Sequence, residues 1–139
     1  MAKKIIIKCR TLVEGEVEGL ALVTKEPISF YGGVDPETGV VIDKSHPLYG
    51  KKISGRILFF PYGKGSTVGS YIIYRLAKKG LAPLAIVNVR SEPIILIGCL
   101  LSSIPLVDKV NMKYFDIVKD NSKVKVIAKR EYGLIEVEV

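Results

Sequence analysis

A chain of 139 residues, 48% of them hydrophobic and 25% charged, has the size and composition of one ordinary globular domain, so a single domain, residues 1–139, without a linker is expected. Its 21 lysines and arginines against 14 aspartates and glutamates give +7, which favours anionic partners: nucleic acid, phosphorylated metabolites or an acidic protein surface. The cations are scattered from Lys3-Lys4 through Lys78-Lys79 to Arg130 and are not massed with aromatic residues, which speaks against a nucleic-acid surface.

The longest apolar run, Ile94 to Leu101, is broken by Gly98 and is too short to cross a bilayer. The start MAKKIIIKCR lacks a signal peptide's long apolar stretch and cleavage site, so a cytoplasmic protein is expected. Positive mean hydropathy implies a surface that a partner covers. Cys9 and Cys99 sit in apolar segments without CxxC spacing and read as core thiols, not as a disulfide framework. With a single histidine besides, the chain offers no closed metal site of its own.

In chain order, Lys4 to Arg10 and Glu16 to Thr24 read as strands joined by the Glu14-Gly15 turn into a hairpin, with Gly19 as a bulge. After Pro27 comes the long loop ISFYGGVDPETG, in which Gly32-Gly33 and Asp35-Pro36 form turns; a short strand, Val40 to Asp43, and the loop SHPLYGKKISG follow. Arg56 to Phe60 and Pro83 to Val89 are buried-type strands flanking a helix from near Thr67 to Gly80, a βαβ crossover with parallel strands. On that helix Val68, Ile72, Ile73, Leu76 and Ala77 form the apolar stripe. Ser91-Glu92-Pro93 opens a mostly buried helix, Glu92 to Ser102, with Ser91 as N-cap; a buried strand is the alternative. The tail alternates through Val124, Val126 and Ala128 and then through Leu134 or Ile135, Val137 and Val139, with Glu131-Tyr132-Gly133 between, a closing hairpin. The order predicts a mixed α/β domain, a sheet curling toward a barrel around a central βαβ crossover.

The chemistry concentrates in FFPYGKGSTVGSYIIYRL, Phe59 to Leu76, where a strand passes through three glycines into the helix. A Walker loop places its lysine directly before Ser/Thr, whereas Lys64 lies between Gly63 and Gly65; a dinucleotide fingerprint is G-x-G-x-x-G, whereas Gly63, Gly65 and Gly69 give one residue too many. Gly63 and Gly65 nevertheless turn the backbone sharply at a strand's carboxyl end and bring Ser66 and Thr67 to amides that attract anions. Those amides and Lys64 would lower the cost of negative charge on Ser66, making it an alkoxide base or a carboxylate anchor. The plain structural alternative is an N-cap worth about 1 kcal/mol, with Gly69 allowing close helix packing.

Gly32, Gly33 and Asp35 shape a pocket rim or form a simple turn; Arg90, Ser91 and Glu92 follow a parallel strand toward the same edge. His46, before Pro47, reads as a surface or interface residue in preference to a catalytic base.

The segments FYGGVDPETGVVIDKSHPLYGKKISGRILFFPYGKGSTVGSYIIYRL and APLAIVNVRSEPIILIGCLLSSIP, in this order and spacing, resemble the aconitase X family over essentially the whole chain. The resemblance implies the swivelling domain of an aconitase-like hydro-lyase, whose large subunit carries a four-iron iron-sulfur cluster and most of the substrate pocket. It also implies that the serine of the glycine-rich turn, here Ser66, accepts the proton, with Gly65, Thr67 and Lys64 beside the substrate. Fused relatives act on cis-3-hydroxy-L-proline. A separate short chain fits the enzyme that dehydrates (R)-5-phosphomevalonate to trans-anhydromevalonate 5-phosphate in the archaeal mevalonate pathway. Two other classes stand beside this: a structural or regulatory subunit in which Ser66 only caps, and a basic nucleic-acid-binding domain.

Overall fold

Alternating apolar residues drive seven strands to close on themselves. The computed structural model describes residues 3–139. Its strands are β1 (Lys4–Val13), β2 (Gly15–Val23), β3 (Arg56–Phe59), β4 (Ala85–Val87), β5 (Leu106–Asp108), β6 (Lys123–Ala128) and β7 (Gly133–Glu138), in the closed order β1-β5-β4-β3-β2-β6-β7. Closure removes exposed edges and encloses one apolar cluster, with Ile7, Ile57, Val87, Val126 and Ile135 pointing inward. The mixed barrel and its crossover agree with the α/β fold expected from sequence.

A second layer covers one outer face. Helices α2 (Gly69–Lys78) and α3 (Pro93–Ser102) press Ile72, Ile73, Leu76, Ile95 and Cys99 onto Leu58, Phe60, Ile86 and Leu106. Gly98 lets the helices approach, since a Cβ there would lie 2.8 Å from Ile73 Cδ1. The long loop joins this layer through the single turn α1 (Phe30–Gly33), with Phe30 edge-on to Phe60 at 5.9 Å between ring centres. The turn α4 (Tyr114–Ile117) brings Phe115 against Phe59 inside the barrel.

The crossover is as expected: β3 and β4 run parallel, with Ile57 opposite Ala85 and Phe59 opposite Val87. The closing hairpin β6–β7 also forms, Val126 opposite Ile135.

Several expectations are corrected. β1 and β2 are not a hairpin: β1 bonds β7 and β5, while β2 bonds β6 and β3. Only Glu14 separates them, fewer than the two residues of the shortest common hairpin loop, so the chain turns a corner between opposite sides of the barrel. Gly19 is no bulge, because its pairing with Val124 is in regular register; a Cβ there would lie 2.8 Å from Leu84 Cδ1, the end of an exposed side chain free to turn aside. The irregularity falls instead between Thr11 and Val13 of β1.

Val40 to Asp43 is not a strand, and only isolated bridges from Val40 to Lys52 and from Val41 to Val34 occur there. The three-residue β5, wholly buried, is an element that the periodicity did not reveal. Helix α3 forms, but it is not mostly buried: Ile97, Leu100 and Leu101 are 48%, 55% and 62% exposed. Val68 is likewise exposed and stands outside the buried stripe of α2.

The β1–β2 corner depends on Gly15, where a Cβ would come within 2.4 Å of Cγ in the rigid Pro105 ring. Gly15→Ala is expected to cost about 1–3 kcal/mol by overpacking. Urea unfolding should show a lowered midpoint at unchanged slope, and an unchanged midpoint would contradict this packing.

Candidate functional site

Strands β3, β4 and β5, three of the four that run parallel, deliver their following residues to one edge of the barrel. Beyond the formal strand ends the pairing continues irregularly: Val89 and Arg90 both donate to the Pro61 carbonyl, at 3.0 and 3.1 Å, and Lys109 donates to the Val89 carbonyl at 2.9 Å. Two buried polar side chains organise this edge. Asn88 donates to the Phe60 carbonyl at 2.7 Å and accepts the Ser91 hydroxyl at 2.8 Å. Asp108 takes two hydrogen bonds from Arg10, each 2.8 Å, and one from the Ser91 amide at 3.0 Å. The bidentate pair satisfies a carboxylate that would otherwise be buried uncompensated.

Ser91 is therefore not the N-cap of α3. That position belongs to Glu92, whose side chain makes no capping bond to its own helix. Its Oε1 accepts the Gly63 amide at 3.1 Å instead.

The glycine turn is held from two sides. Gly63 bridges Ile28, and the Lys64 amide donates to the Ile28 carbonyl at 3.0 Å. Gly65 has φ +90°, and a Cβ there would lie 2.4 Å from Ser29 Oγ. Both constraints require glycine. Lys64 to Val68 are then all exposed before α2 begins at Gly69, two residues later than the sequence indicated.

Ser66 lies ahead of the helix, its carbonyl accepting the Gly69 amide at 2.9 Å and its Oγ accepting the Val68 amide at 3.2 Å. An N–H aimed at a hydroxyl oxygen supports the first turn and also favours the deprotonated form of that oxygen. Gly69 has the packing role read from sequence, since a Cβ there would lie 3.1 Å from Ile94 Cγ2.

The structure brings Lys64, Gly65, Ser66 and Thr67 together, with Phe30 and Tyr31 beside the start of α2, the Tyr31 amide nitrogen lying 3.9 Å from the Cβ position of Gly69; Gly32 is exposed, while Gly33 is buried and its carbonyl accepts the Ile42 amide at 2.9 Å. Asp35 is in a different turn. Its Oδ1 accepts the Glu37 amide at 2.9 Å, and Glu37 pairs with Arg75 and Lys79 toward the far end of α2.

Sequence reasoning missed the apolar rim of the site: Tyr31, Tyr62, Val68 and Tyr71 are all exposed around the turn. Their signal lay in the tyrosines of FYGG, PYGKG and SYIIY, which carry no periodicity. Surface depressions of about 300 Å³, between Glu18 and Glu136, and about 510 Å³, beside Thr24 and Phe115, do not include the turn. Exposed from Lys64 to Val68, the Ser66 turn is presented on the surface.

His46 is a structural residue. Its Nδ1 accepts the Leu48 amide at 3.0 Å, which leaves the proton on Nε2 to donate to the Pro27 carbonyl at 3.1 Å. Asp43 nearby is held below the usual carboxylate range by hydrogen bonds from Ser45, with weaker help from His46 and Lys64.

The cysteines do not fit an iron-sulfur cluster. Cys99 is in the helix layer and Cys9 packs against the barrel interior, and burial pushes each thiol up to about 12, for Cys9 with help from the Asp108 charge. Among the described residues no three His, Cys, Asp or Glu side chains converge as a metal site.

A closed barrel with a helix-covered face and a parallel crossover ending in an exposed glycine turn defines a swivel-type domain. The family profile described as aconitase X swivel domain matches residues 6–137, and the chain belongs to that family. It is 58% identical over 125 residues, 90% of each chain, to the phosphomevalonate dehydratase small subunit of Methanothrix thermoacetophila. It is 47% identical over 131 residues, 94% of each chain, to the phosphomevalonate dehydratase small subunit of Pyrococcus furiosus. The crystal structure of holo-form aconitase X from Thermococcus kodakaraensis superposes with a TM-score of 0.89 at 45% identity, covering 96% of this chain and 98% of that one.

The thiol environment gives a direct test. Because both folded thiols titrate near 12 and unfolded ones near 9.0, stability is insensitive to them below pH 9 and falls as pH rises from there toward 12. At pH 8 a thiol reagent should react slowly with the native chain and rapidly with both cysteines in denaturant; fast labelling of native Cys99 would contradict its burial.

Proposed function

We propose that this chain is the small subunit of a cytoplasmic hydro-lyase that dehydrates (R)-5-phosphomevalonate to trans-anhydromevalonate 5-phosphate, with Ser66 as general base. The observation that carries the reading is the Val68 amide donating to Ser66 Oγ on an exposed, rigidly hung turn. The near full-length likeness to chains named phosphomevalonate dehydratase small subunit supports 5-phosphomevalonate as the substrate.

In the reaction the Ser66 alkoxide takes the proton from the carbon next to the carboxylate. The C–H electron pair becomes the new C=C bond as the neighbouring C–O bond breaks and its oxygen leaves with that bond's electrons as hydroxide, for which the cluster assigned below to the large subunit would supply the Lewis acid. A serine hydroxyl is a poor base, so its anion needs support: the Val68 N–H acts on the oxygen itself, and Lys64 adds positive charge two residues away. Both act weakly against bulk water and strongly once a partner surface excludes it. Gly65 and Thr67 line the substrate beside Ser66, Gly32 and Gly33 complete the rim, and Asp35 shapes the turn behind them.

The exposed Tyr31, Tyr62, Val68 and Tyr71 suit burial against a large subunit, to which we assign the rest of the pocket and the four-iron cluster. The Val68–Ser66 bond also favours one second reading, a structural or regulatory subunit in which Ser66 serves only as a local cap.

The two are separated in the reconstituted two-subunit enzyme. Ser66→Ala should assemble normally and lose about 10²- to 10⁴-fold in turnover of 5-phosphomevalonate. As a lost cap alone it would cost about 1 kcal/mol of stability and leave turnover near normal. Purification of the chain with a larger brown iron-sulfur polypeptide supports the assignment of the cluster, and a colourless partner speaks against it.

A further inference from the structure

Glu92 stands at the N-cap position of α3 with extended angles, φ −95° and ψ 171°, the place where a carboxylate normally binds the first free amides of its own helix. It makes no such bond. Its carboxylate reaches 29 residues back to the Gly63 amide, and Oε1 together with Ile95 Cδ1 occupies the space where a side chain on residue 63 would be, at 2.6 and 2.7 Å from the Cβ position. Glu92 and Ile95, one helical turn apart, form a seat for the turn.

The seat is itself fixed. The Ser91 amide is held by Asp108 at 3.0 Å, the Ser91 hydroxyl by Asn88 at 2.8 Å, and Asn88 holds the Phe60 carbonyl at 2.7 Å. The ends of β3, β4 and β5 thereby determine where the Glu92 carboxylate sits.

We propose that Glu92 is a positioning residue for Ser66, holding the Gly63 amide so that the turn presents the serine hydroxyl at the height and angle needed for proton removal. This rests on the reading of Ser66 as general base. A negative charge near the turn opposes deprotonation of Ser66, so the carboxylate's contribution is its acceptor oxygen and not its field. Without that oxygen a partly buried amide is left unsatisfied, and the exposed stretch from Lys64 to Val68 is held on its upstream side by Ile28 alone, through the Lys64 amide to the Ile28 carbonyl at 3.0 Å and the Ile28 amide to the Tyr62 carbonyl at 3.3 Å.

The test uses the assembled two-subunit enzyme with 5-phosphomevalonate. Misplacement of a reacting group by about 1 Å costs up to roughly 10²-fold, so Glu92→Ala should lower kcat by about 10- to 100-fold with KM within about 3-fold. Glu92→Gln, which keeps an acceptor oxygen, should stay within about 3-fold of the unaltered enzyme, and Glu92→Ala should add almost nothing to Ser66→Ala. Hydrogen exchange of the segment 60–67 in the same complex should be faster in Glu92→Ala and unchanged in Glu92→Gln.

The proposal is overturned if Glu92→Ala leaves kcat intact, if it is as harmful on the Ser66→Ala background as alone, or if Glu92→Gln is equally damaging. Should Glu92→Ala not assemble, Glu92→Asp, which withdraws the oxygen by one methylene, carries the same comparison. Near-normal turnover by Ser66→Ala overturns both this proposal and the reading beneath it. Failure of the proposal alone is recognised by an inactive Ser66→Ala beside a fully active Glu92→Ala.

Discussion

Two amide hydrogen bonds, Gly63 to the Glu92 carboxylate and Lys64 to the Ile28 carbonyl, suspend the glycine turn between the helix layer and the long loop. The turn adopts its tight course because glycine is the only residue that fits at 63 and at 65, one for lack of space and one for its left-handed backbone as well. Behind Glu92 stands the Arg10–Asp108 pair, which carries a fully buried carboxylate to the Ser91 amide. Removing either partner would leave an uncompensated charge or a broken strand edge, so the local order of the turn is inherited from the barrel itself.

The parts of this architecture that depend on local pattern could be read from the sequence. Alternation in Val124, Val126 and Ala128 gave β6, the spacing of Ile72, Ile73 and Leu76 gave α2, and Pro93 placed α3. The pairing of β1 and β2 could not be read, because two adjacent alternating segments look like a hairpin whichever neighbours they take around a barrel. Leu106 to Asp108 escaped notice for a related reason: three buried residues after Pro105 have no period, and their identity as β5 comes only from pairing with β1 and β4.

At the site, the glycine spacing announced a turn and the serine announced a hydroxyl, but the capping rule misassigned Ser91. Its hydroxyl bonds the buried Asn88 amide three residues back, and Glu92, which holds the cap position instead, turns its carboxylate to Gly63. Val68 and the helix α3 positions 97, 100 and 101 were misread as core because apolar periodicity does not distinguish a face buried within one chain from one left exposed.

The same exposure gives the account its physical direction. A serine in water has little capacity as a base, whatever amide approaches it, because solvent screens the dipole and the lysine that favour its anion. Surrounded by exposed tyrosines and open to solvent, the turn has the composition of a surface that is completed on association, where each of those interactions strengthens as water leaves.

The decisive observation is the position of the Ser66 oxygen in the complex of this chain with its large subunit and a bound, unreacted substrate analogue. Oγ is expected within about 3–3.5 Å of the carbon next to the carboxylate, on the face opposite any solvent path. An Oγ still open to bulk water, or turned away from the ligand in the closed complex, would contradict this.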